Sequence, residues 1–352
     1  MLFKSKKDIV GIDIGSSAVK LVQLREVKGG FQLQNMGLMP LPPEAIVDHS
    51  IMDPSVVQDT IRNLAESLKV KTKNVATSIS GHSVIIRKIT LPIMAEDELE
   101  ASIQWEAEQY IPFDINDVNI DFQILGPDVK DPSQMNVMLV AAKKDFVNDH
   151  VAVFVDIGLN PVVMDIACFA VENMFEASYG TSTDEIVALI NIGAGGMNVN
   201  ILKSGESAFT RDIQVGGNML NEELQKRLGI SGEDAERLKL GGQVEDVDPD
   251  EVTAVIADAA ESLAQEVQRS LDFFSATSAD EKVQKVYLAG GVSRSTEVVS
   301  ALEERLAIPV EVINPFAGIF VDEKEFDPEY VRAVGPLMSV ATGLAMRRVG
   351  DK

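Results

Sequence analysis

A chain of 352 residues that is 45% hydrophobic has enough apolar material for two domain-sized cores. Its formal charge of -24 speaks against a nucleic-acid groove, which needs clustered Lys and Arg, and against broad adhesion to an anionic bilayer. The single cysteine, Cys168, lies in an apolar run; it excludes an internal disulfide and a cysteine-cluster zinc site, which fits a reducing cytoplasm.

The opening Met1-Leu2-Phe3-Lys4-Ser5-Lys6-Lys7 is basic but no long apolar region follows. The run from Ile9 is broken by Asp13 and Lys20, so it does not read as a signal peptide. No apolar stretch reaches the ~20 residues of a spanning helix, so membrane association is expected only through a partner. Residues 9–33 read as strands, with Lys28-Gly29-Gly30 as a hairpin turn. Leu41-Pro42-Pro43 is a loop, and Asp53-Pro54 starts a helix with Val56, Ile61, Leu64 and Leu68 near one face. Val75-Ala76-Thr77-Ser78-Ile79-Ser80 is a further strand.

From about Val84 the texture changes. Val84 to Ile89 is a strand that stops at Leu91-Pro92. Glu96-Asp97-Glu98 opens a helix with acidic residues at its positive end, Leu99, Ile103, Ala107 and Tyr110 recur at helical spacing, and Pro112 stops it. Trp105 within that helix is expected to pack. Strands near 118–125 and 135–142 and a helix from about 145 to 158 complete a block that reads as an inserted subdomain. The second half begins near Glu185 with two more apolar strands, Ile186 to Ile192 and Met197 to Leu202. Helices follow, one striped by Leu220, Leu224 and Leu228, another by Ile256, Ala259, Leu263, Val267, Leu271 and Phe274. Gly241 to Asp250 between them is an acidic loop. Lys285 to Gly291 reads as a buried strand running into a glycine turn, a helix passes through Leu302, and a last helix covers about 331–348.

One frame occurs twice: apolar strand, tight glycine turn, apolar strand. Its copies are centred on Asp13-Ile14-Gly15-Ser16-Ser17 and Asn191-Ile192-Gly193-Ala194-Gly195. Glycines let a backbone approach a ligand, and their N–H groups can cradle phosphate oxygens. Asp13 at the strand end could orient a hydrated Mg2+, which commonly uses one or two carboxylates plus substrate phosphates. Ser16 and Ser17 can donate hydrogen bonds, and Lys20 can neutralise phosphate charge. A single copy would equally read as an ordinary hairpin. The third turn, Leu288-Ala289-Gly290-Gly291-Val292-Ser293-Arg294-Ser295, joins a strand to a helix start, where an anionic or polar ligand is well placed. The histidines His49, His82 and His150 are far apart with no ligand spacing, so no metal site is expected from them.

Together these motifs resemble the actin, Hsp70 and sugar kinase superfamily, and the inserted block resembles the extra subdomain of the cell-division protein FtsA. The chain is most similar to the PilM family, the cytoplasmic actin-like proteins of type IV pilus machines. Ile79 to Arg87, the Leu91-Pro92 stop and Glu106-Ala107-Glu108-Gln109-Tyr110-Ile111-Pro112-Phe113 carry that resemblance. It implies a duplicated α/β, ribonuclease H-like two-domain fold of the actin and Hsp70 type with an FtsA-like insertion. The first domain would span 1–185 (insertion about 84–163, terminal helix 331–350 returning to it) and the second 186–330 (helical subdomain about 214–282).

The resemblance further implies ATP and Mg2+ as cofactors. Asp13 would contact Mg2+ through water, while Gly15, Ser16, Ser17 and Lys20 bind phosphates from one side and Gly193, Ala194, Gly195 and Gly196 from the other. Gly290, Gly291 and Ser293 would line the adenosine pocket. Glu236 and Lys239 resemble a pair that touches ribose and base in chaperone relatives, and they read equally as a solvated helix face. Hydrolytic relatives usually carry Asp at 191, Thr at 196 and Asp at 198; here stand Asn191, Gly196 and Asn198. Asn is no general base, so little or no hydrolysis is expected. Asp165 could orient an attacking water or cap a helix.

The function implied is an ATP-binding adaptor at the cytoplasmic face of the inner membrane, held there by a partner. That partner would be the short N-terminal tail of a PilN-type membrane protein. The tail would lie between the first domain and the inserted block, near Arg87, Ile111, Pro112 and Phe113, with Ile111 reading more readily as core. Communication with pilus motor ATPases and self-association are further expectations. The alternatives are an FtsA-like filament protein and, less well supported, a small-molecule kinase.

Overall fold

The computed structural model describes residues 8–351 apart from 129 and 181–184; the basic opening lies outside the described residues. The chain begins with the meander β1 (Val10–Ile14), β2 (Ala18–Val27) and β3 (Gly30–Pro40), all antiparallel. A small hairpin, β4 (Ile46–Val47) and β5 (Ser50–Ile51), leads to α1 (Pro54–Ser67). Asp53 caps α1 by accepting the Val56 N–H at 3.1 Å, and Pro54 starts the helix because its missing N–H would be unpaired there anyway. Of the face expected to be apolar, Ile61 and Leu64 are buried and Val56 and Leu68 half-buried; Val57 is the third buried apolar residue, packing with Ile61 and Leu64 on Val10, Ile12, Val19 and Leu21. Strand β6 (Asn74–Ile79) then pairs parallel with β1.

The inserted block follows. β7 (Val84–Pro92) leads into α2 (Glu96–Ala107), and β8 (Val118–Pro127) and β9 (Gln134–Lys143) complete a three-stranded sheet of order β7-β9-β8. Alternate residues of the three strands, Ile89, Leu91, Val118, Val137 and Leu139, meet Leu99, Ile103 and Ala107 of α2 in a core of their own. Trp105 is not in it. The residue is 76% exposed on the outer face of α2, because the buried stripe 99–103–107 leaves position 105 pointing away. Helix α3 (Lys144–Val155) sends Val153 and Phe154 into the cluster beneath α1, and β10 (Asn160–Ile166) pairs parallel with β6.

After α4 (Ala167–Tyr179) the pattern starts again. β11 (Ile186–Ile192), β12 (Met197–Lys203) and β13 (Glu206–Ile213) form a second antiparallel meander. Helices α5 (Asn218–Leu228), α6 (Gly232–Lys239) and the 29-residue α7 (Pro249–Thr277) pack Leu220, Leu224, Ala235, Ala259, Leu263 and Val267 together. β14 (Lys285–Ala289) joins β11 in parallel, and after α8 (Thr296–Leu306) β15 (Val310–Val312) joins β14 in parallel. The duplication is exact in topology. The run β3-β2-β1-β6-β10 and the run β13-β12-β11-β14-β15 each make two antiparallel pairings and then two parallel ones. β16 (Ile319–Phe320) extends the first sheet beside β3.

The single helix expected over 331–348 is broken into α9 (Pro328–Val334), a 3-10 turn Gly335–Met338 and α10 (Ser339–Ala345). Pro336 is the reason, since it lacks the N–H that a continuous helix needs. Every residue of α10 is buried. It lies between β1 and α4 so closely that a Cβ on Gly343 would collide with the Ala170 carbonyl, and one on Gly11 with the Ala341 carbonyl. Val340 and Leu344 share a cluster with Ala170 and Met174 of α4 and with Val187, Leu189 and Leu202 of the second half, so one apolar core crosses the junction.

Candidate functional site

The two glycine turns are built alike. Register pairs Asp13 with Lys20 and Ile14 with Val19 in the first hairpin, and Asn191 with Asn198 and Ile192 with Met197 in the second. Each loop is four residues long and closed by one backbone bond, Gly15 N–H to Ala18 O at 3.1 Å and Gly193 N–H to Gly196 O at 2.9 Å. At equivalent positions the halves differ in charge. Lys20 Nζ sits 3.1 Å from Asp13 Oδ2, with both side chains mostly buried, whereas Asn191 Nδ2 faces Asn198 Oδ1 at 3.4 Å. The Lys20 ammonium crosses close beside Gly15, in the space a Cβ there would take.

The structure brings the two loops face to face. Ser16 Oγ lies 2.6 Å from the place of a Cβ on Gly195, so a side chain there would displace the Ser16 hydroxyl. The N–H groups of Ser16, Ser17, Ala194 and Gly195 find no acceptor among the described residues. The second loop is held from behind by α5: Gly217 N–H donates to Gly193 O at 2.9 Å and Asn218 N–H to Ala194 O at 2.8 Å. Gly216, whose part in this the sequence did not disclose, presses within 2.6 Å of both carbonyls at its Cβ position.

The third turn joins the same cluster. Gly290 has φ +89°, and any side chain on it would run into the Ile192 carbonyl. Gly291 opens a 3-10 turn, and the helix proper, α8, starts only at Thr296 with Ser295 as its cap. Ser293 is buried, and its hydroxyl donates to Gly290 O at 2.7 Å, a bond that helps to hold the turn. Val292 of this turn packs on Gly217, which links it to the second loop.

On α6, Glu236 accepts from Lys239 Nζ at 2.5 Å and from Asn221 Nδ2 of α5 at 2.7 Å. Burial pushes the Glu236 carboxyl up, but these two donors outweigh it and hold it below the usual range. Asn221 Oδ1 is buried without a partner. Asp165 ends the buried face of β10. Its Oδ1 accepts the Ile166 N–H at 2.8 Å and its Oδ2 lies 3.6 Å from Arg347 Nε, so it does not cap α4, whose N-cap is Ile166.

The expected groove residues separate. Arg87 is exposed on β7, an edge strand of the small sheet, with Nη1 donating to Ile86 O at 3.2 Å. Ile111 belongs to the subdomain core, Pro112 is exposed, and Phe113 is half-buried with Lys143 Nζ 4.5 Å from its ring centre.

Sequence reasoning missed a polar seam joining the halves beside the loops. His49, Ser80, Gly81 and His82 of the first half meet Gly196, Asn198, Asp212 and Gln214 of the second. Gly81 N–H donates to Asp212 Oδ2 at 2.7 Å, Asn198 Nδ2 bonds Asp212 Oδ1, and Gln214 Nε2 lies 3.2 Å from His82 Nδ1. Gly81-His82 stood within a quoted motif, but nothing in sequence tied it to residue 212. Among the described residues no group of three or more His, Cys, Asp or Glu could hold a metal ion by itself, and no helix is long and apolar enough to cross a membrane.

A family model described as type IV pilus assembly protein PilM matches residues 11–349. Among solved structures, a chain of a PilM-PilN type IV pilus biogenesis complex is similar at 29% identity and TM-score 0.86, over 97% of this chain and 99% of that one. The ethanolamine utilization protein EutJ from Carboxydothermus hydrogenoformans matches at 17% identity and TM-score 0.55, over 96% of this chain and 88% of that one. MreB5 of Spiroplasma citri bound to AMPPNP matches at 13% identity and TM-score 0.50, over 96% and 94%. The last two speak for the fold alone, which is the two-domain actin-like α/β architecture.

Proposed function

This chain belongs to the PilM family of type IV pilus assembly proteins, and from that premise we propose that it is an ATP-binding adaptor of the pilus assembly platform. The observation that carries the nucleotide reading is the pair of facing glycine loops with unengaged N–H groups. Such loops suit phosphate oxygens, and Lys20 adds a cation. The donor set fits a hydrated Mg2+ as well: Asp13 is one carboxylate beside the loop, and Mg2+ makes up its shell from water and phosphates. When bound, that ion would neutralise phosphate charge.

The chain's own residues point to holding nucleotide with little turnover. Asn191 and Asn198 bring no negative charge and no base to the second loop. Gly290, Gly291, Glu236 and Lys239 would enclose the nucleoside, with Ser293 shaping the turn. Similarity to the PilM-PilN complex supports a PilN-type tail as partner. The free edge of β7 with Arg87, and the exposed Pro112 beside Phe113, offer a place for an extended tail to add as a strand. Ile111 would support that surface from within. Such a partner would hold the chain peripherally at the inner membrane and let it couple the platform to cytoplasmic motor components.

Calorimetric titration of a PilN-type tail peptide, with and without Mg-ATP, tests this reading. Saturable binding that weakens in Arg87→Ala supports the adaptor. Nucleotide binding with no peptide binding in either state removes the partner assignment.

A further inference from the structure

The polar seam contains a residue that the nucleotide reading leaves unused. The two-residue turn between β4 and β5 holds Asp48 at φ +48° and His49 at φ +65°. Both are left-handed, a geometry that favours Asn-Gly, yet neither residue is glycine. The strained turn places the His49 ring. Its Nδ1 lies 3.0 Å from Ser80 Oγ. One edge fills the space beside Gly81, where a Cβ would stand 2.7 Å from Cδ2. Nε2 lies 3.1 Å from the place of a Cβ on Gly196.

Gly196 ends the second phosphate loop, Gly193-Ala194-Gly195-Gly196, which carries no polar side chain. The imidazole arrives from the other half at the spot beside which a side chain of residue 196 would project. The order along that loop matters. The Gly193 and Ala194 carbonyls accept from the Gly217 and Asn218 N–H groups, and Gly217 touches Val292 of the third turn, while Gly196 faces His49. A nucleotide whose nucleoside sits by the third turn would reach Gly196 with its last phosphate.

Burial pushes the His49 imidazole below its ordinary value of 6.5, against the pull of Asp212, Asp48 and Asp13. The ring is therefore uncharged at neutral pH. The tautomer in which the Ser80 hydroxyl donates to Nδ1 carries its hydrogen on Nε2, where it can donate.

We propose that His49 reads the terminal phosphate of a bound nucleoside triphosphate: its Nε2–H supplies, from the first half, the side-chain donor that the second loop lacks. This rests on the nucleotide reading above. It also makes closure of the seam specific, because a diphosphate would leave that donor without its acceptor.

The test is the affinity of the full chain for Mg-ADP and for a non-hydrolysable Mg-ATP analogue, by calorimetry. In His49→Asn, which tolerates a left-handed turn, affinity for the triphosphate should fall about ten-fold or more, the scale of a hydrogen bond to a charged group. ADP affinity should stay within about two-fold on the same reasoning. His49→Gln, with a longer amide donor, should recover part of the loss. An equal loss for both nucleotides, or no loss, overturns the proposal while leaving ATP binding intact. Failure of the unaltered chain to bind either nucleotide overturns the nucleotide reading and this proposal with it. Melting of the ligand-free variants separates lost contact from lost folding.

Discussion

Glu172 makes the stability of this chain depend on pH in a direction opposite to most paired carboxylates. It sits on α4 where the halves meet, and its Oε2 accepts from Asn200 Nδ2 at 2.7 Å; Asn200 in turn accepts from Ser207 Oγ at 2.7 Å. Burial pushes the Glu172 carboxyl from its ordinary 4.5 up to about 7, and the Asn200 hydrogen bond only partly opposes this. A raised pKa means that the folded chain holds this proton more tightly than the unfolded one. The stability that Glu172 contributes is therefore greatest below 4.5, falls as pH rises, and levels off above about 7. The gap between 4.5 and 7, at 1.36 kcal/mol per pH unit, comes to about 3 kcal/mol in full. Glu172→Gln is neutral at every pH and keeps an acceptor for Asn200. Integrated between pH 5.5 and 8.5, its advantage over the unaltered chain should grow by about 2 kcal/mol. Urea unfolding of both proteins at the two pH values measures this. Taking the difference between the proteins cancels the other titrating groups. An advantage that stays flat or shrinks with rising pH refutes the reasoning.

Gly343→Ala should cost at least about 3 kcal/mol, or soluble expression, because its Cβ collides with the Ala170 carbonyl between two buried helices; a melting curve within a few degrees of the original rejects this. His150 is buried with Nδ1 2.9 Å from Phe146 O, and burial holds its imidazole below 6.5. The fold thus favours neutral His150, and stability drops as pH falls through 6.5; in His150→Gln the loss between pH 7 and 5.5 should be smaller by denaturant melts. Trp105, the single tryptophan and 76% exposed, should emit at long wavelength and be quenched freely by acrylamide, and Trp105→Ala should change stability by less than about 0.5 kcal/mol.

The sequence disclosed what is local. Strand, glycine turn and strand repeat legibly because alternation and glycine act over a few residues, and the caps at Asp53 and Pro54 are equally short-range. Trp105 was misread because one aromatic in an amphipathic helix says little about its face until the stripe Leu99, Ile103, Ala107 is fixed against a sheet. The helix over 331–348 was drawn through Pro336, where tertiary burial keeps the segment compact although its hydrogen bonding is interrupted. The seam was invisible for a different reason. Gly81 and Asp212 are 131 residues apart, and neither carries a signal that it will meet the other.

The duplication explains why the two loops are not interchangeable. Equal backbone geometry has been given unequal chemistry: an ion pair at Asp13 and Lys20, a neutral amide pair at Asn191 and Asn198. Negative charge set on both sides of a triphosphate would repel it across a narrow, partly desolvated gap, where Coulomb terms are stronger than in water. A neutral second loop avoids that repulsion, but it also gives up the acidic group that would activate water. The same loop is made of small residues, so contacts to phosphate must come from backbone N–H groups or from the facing half. His49 is a first-half residue that lies against this loop, at Gly196. On the proposed reading the binding chemistry is divided between the halves, and a nucleotide held by both would favour a closed junction. A nucleotide that favours closure in this way biases the edge of the inserted block, which is anchored through Val84 and Ala142 to the first half, by no more than its difference in affinity between open and closed forms.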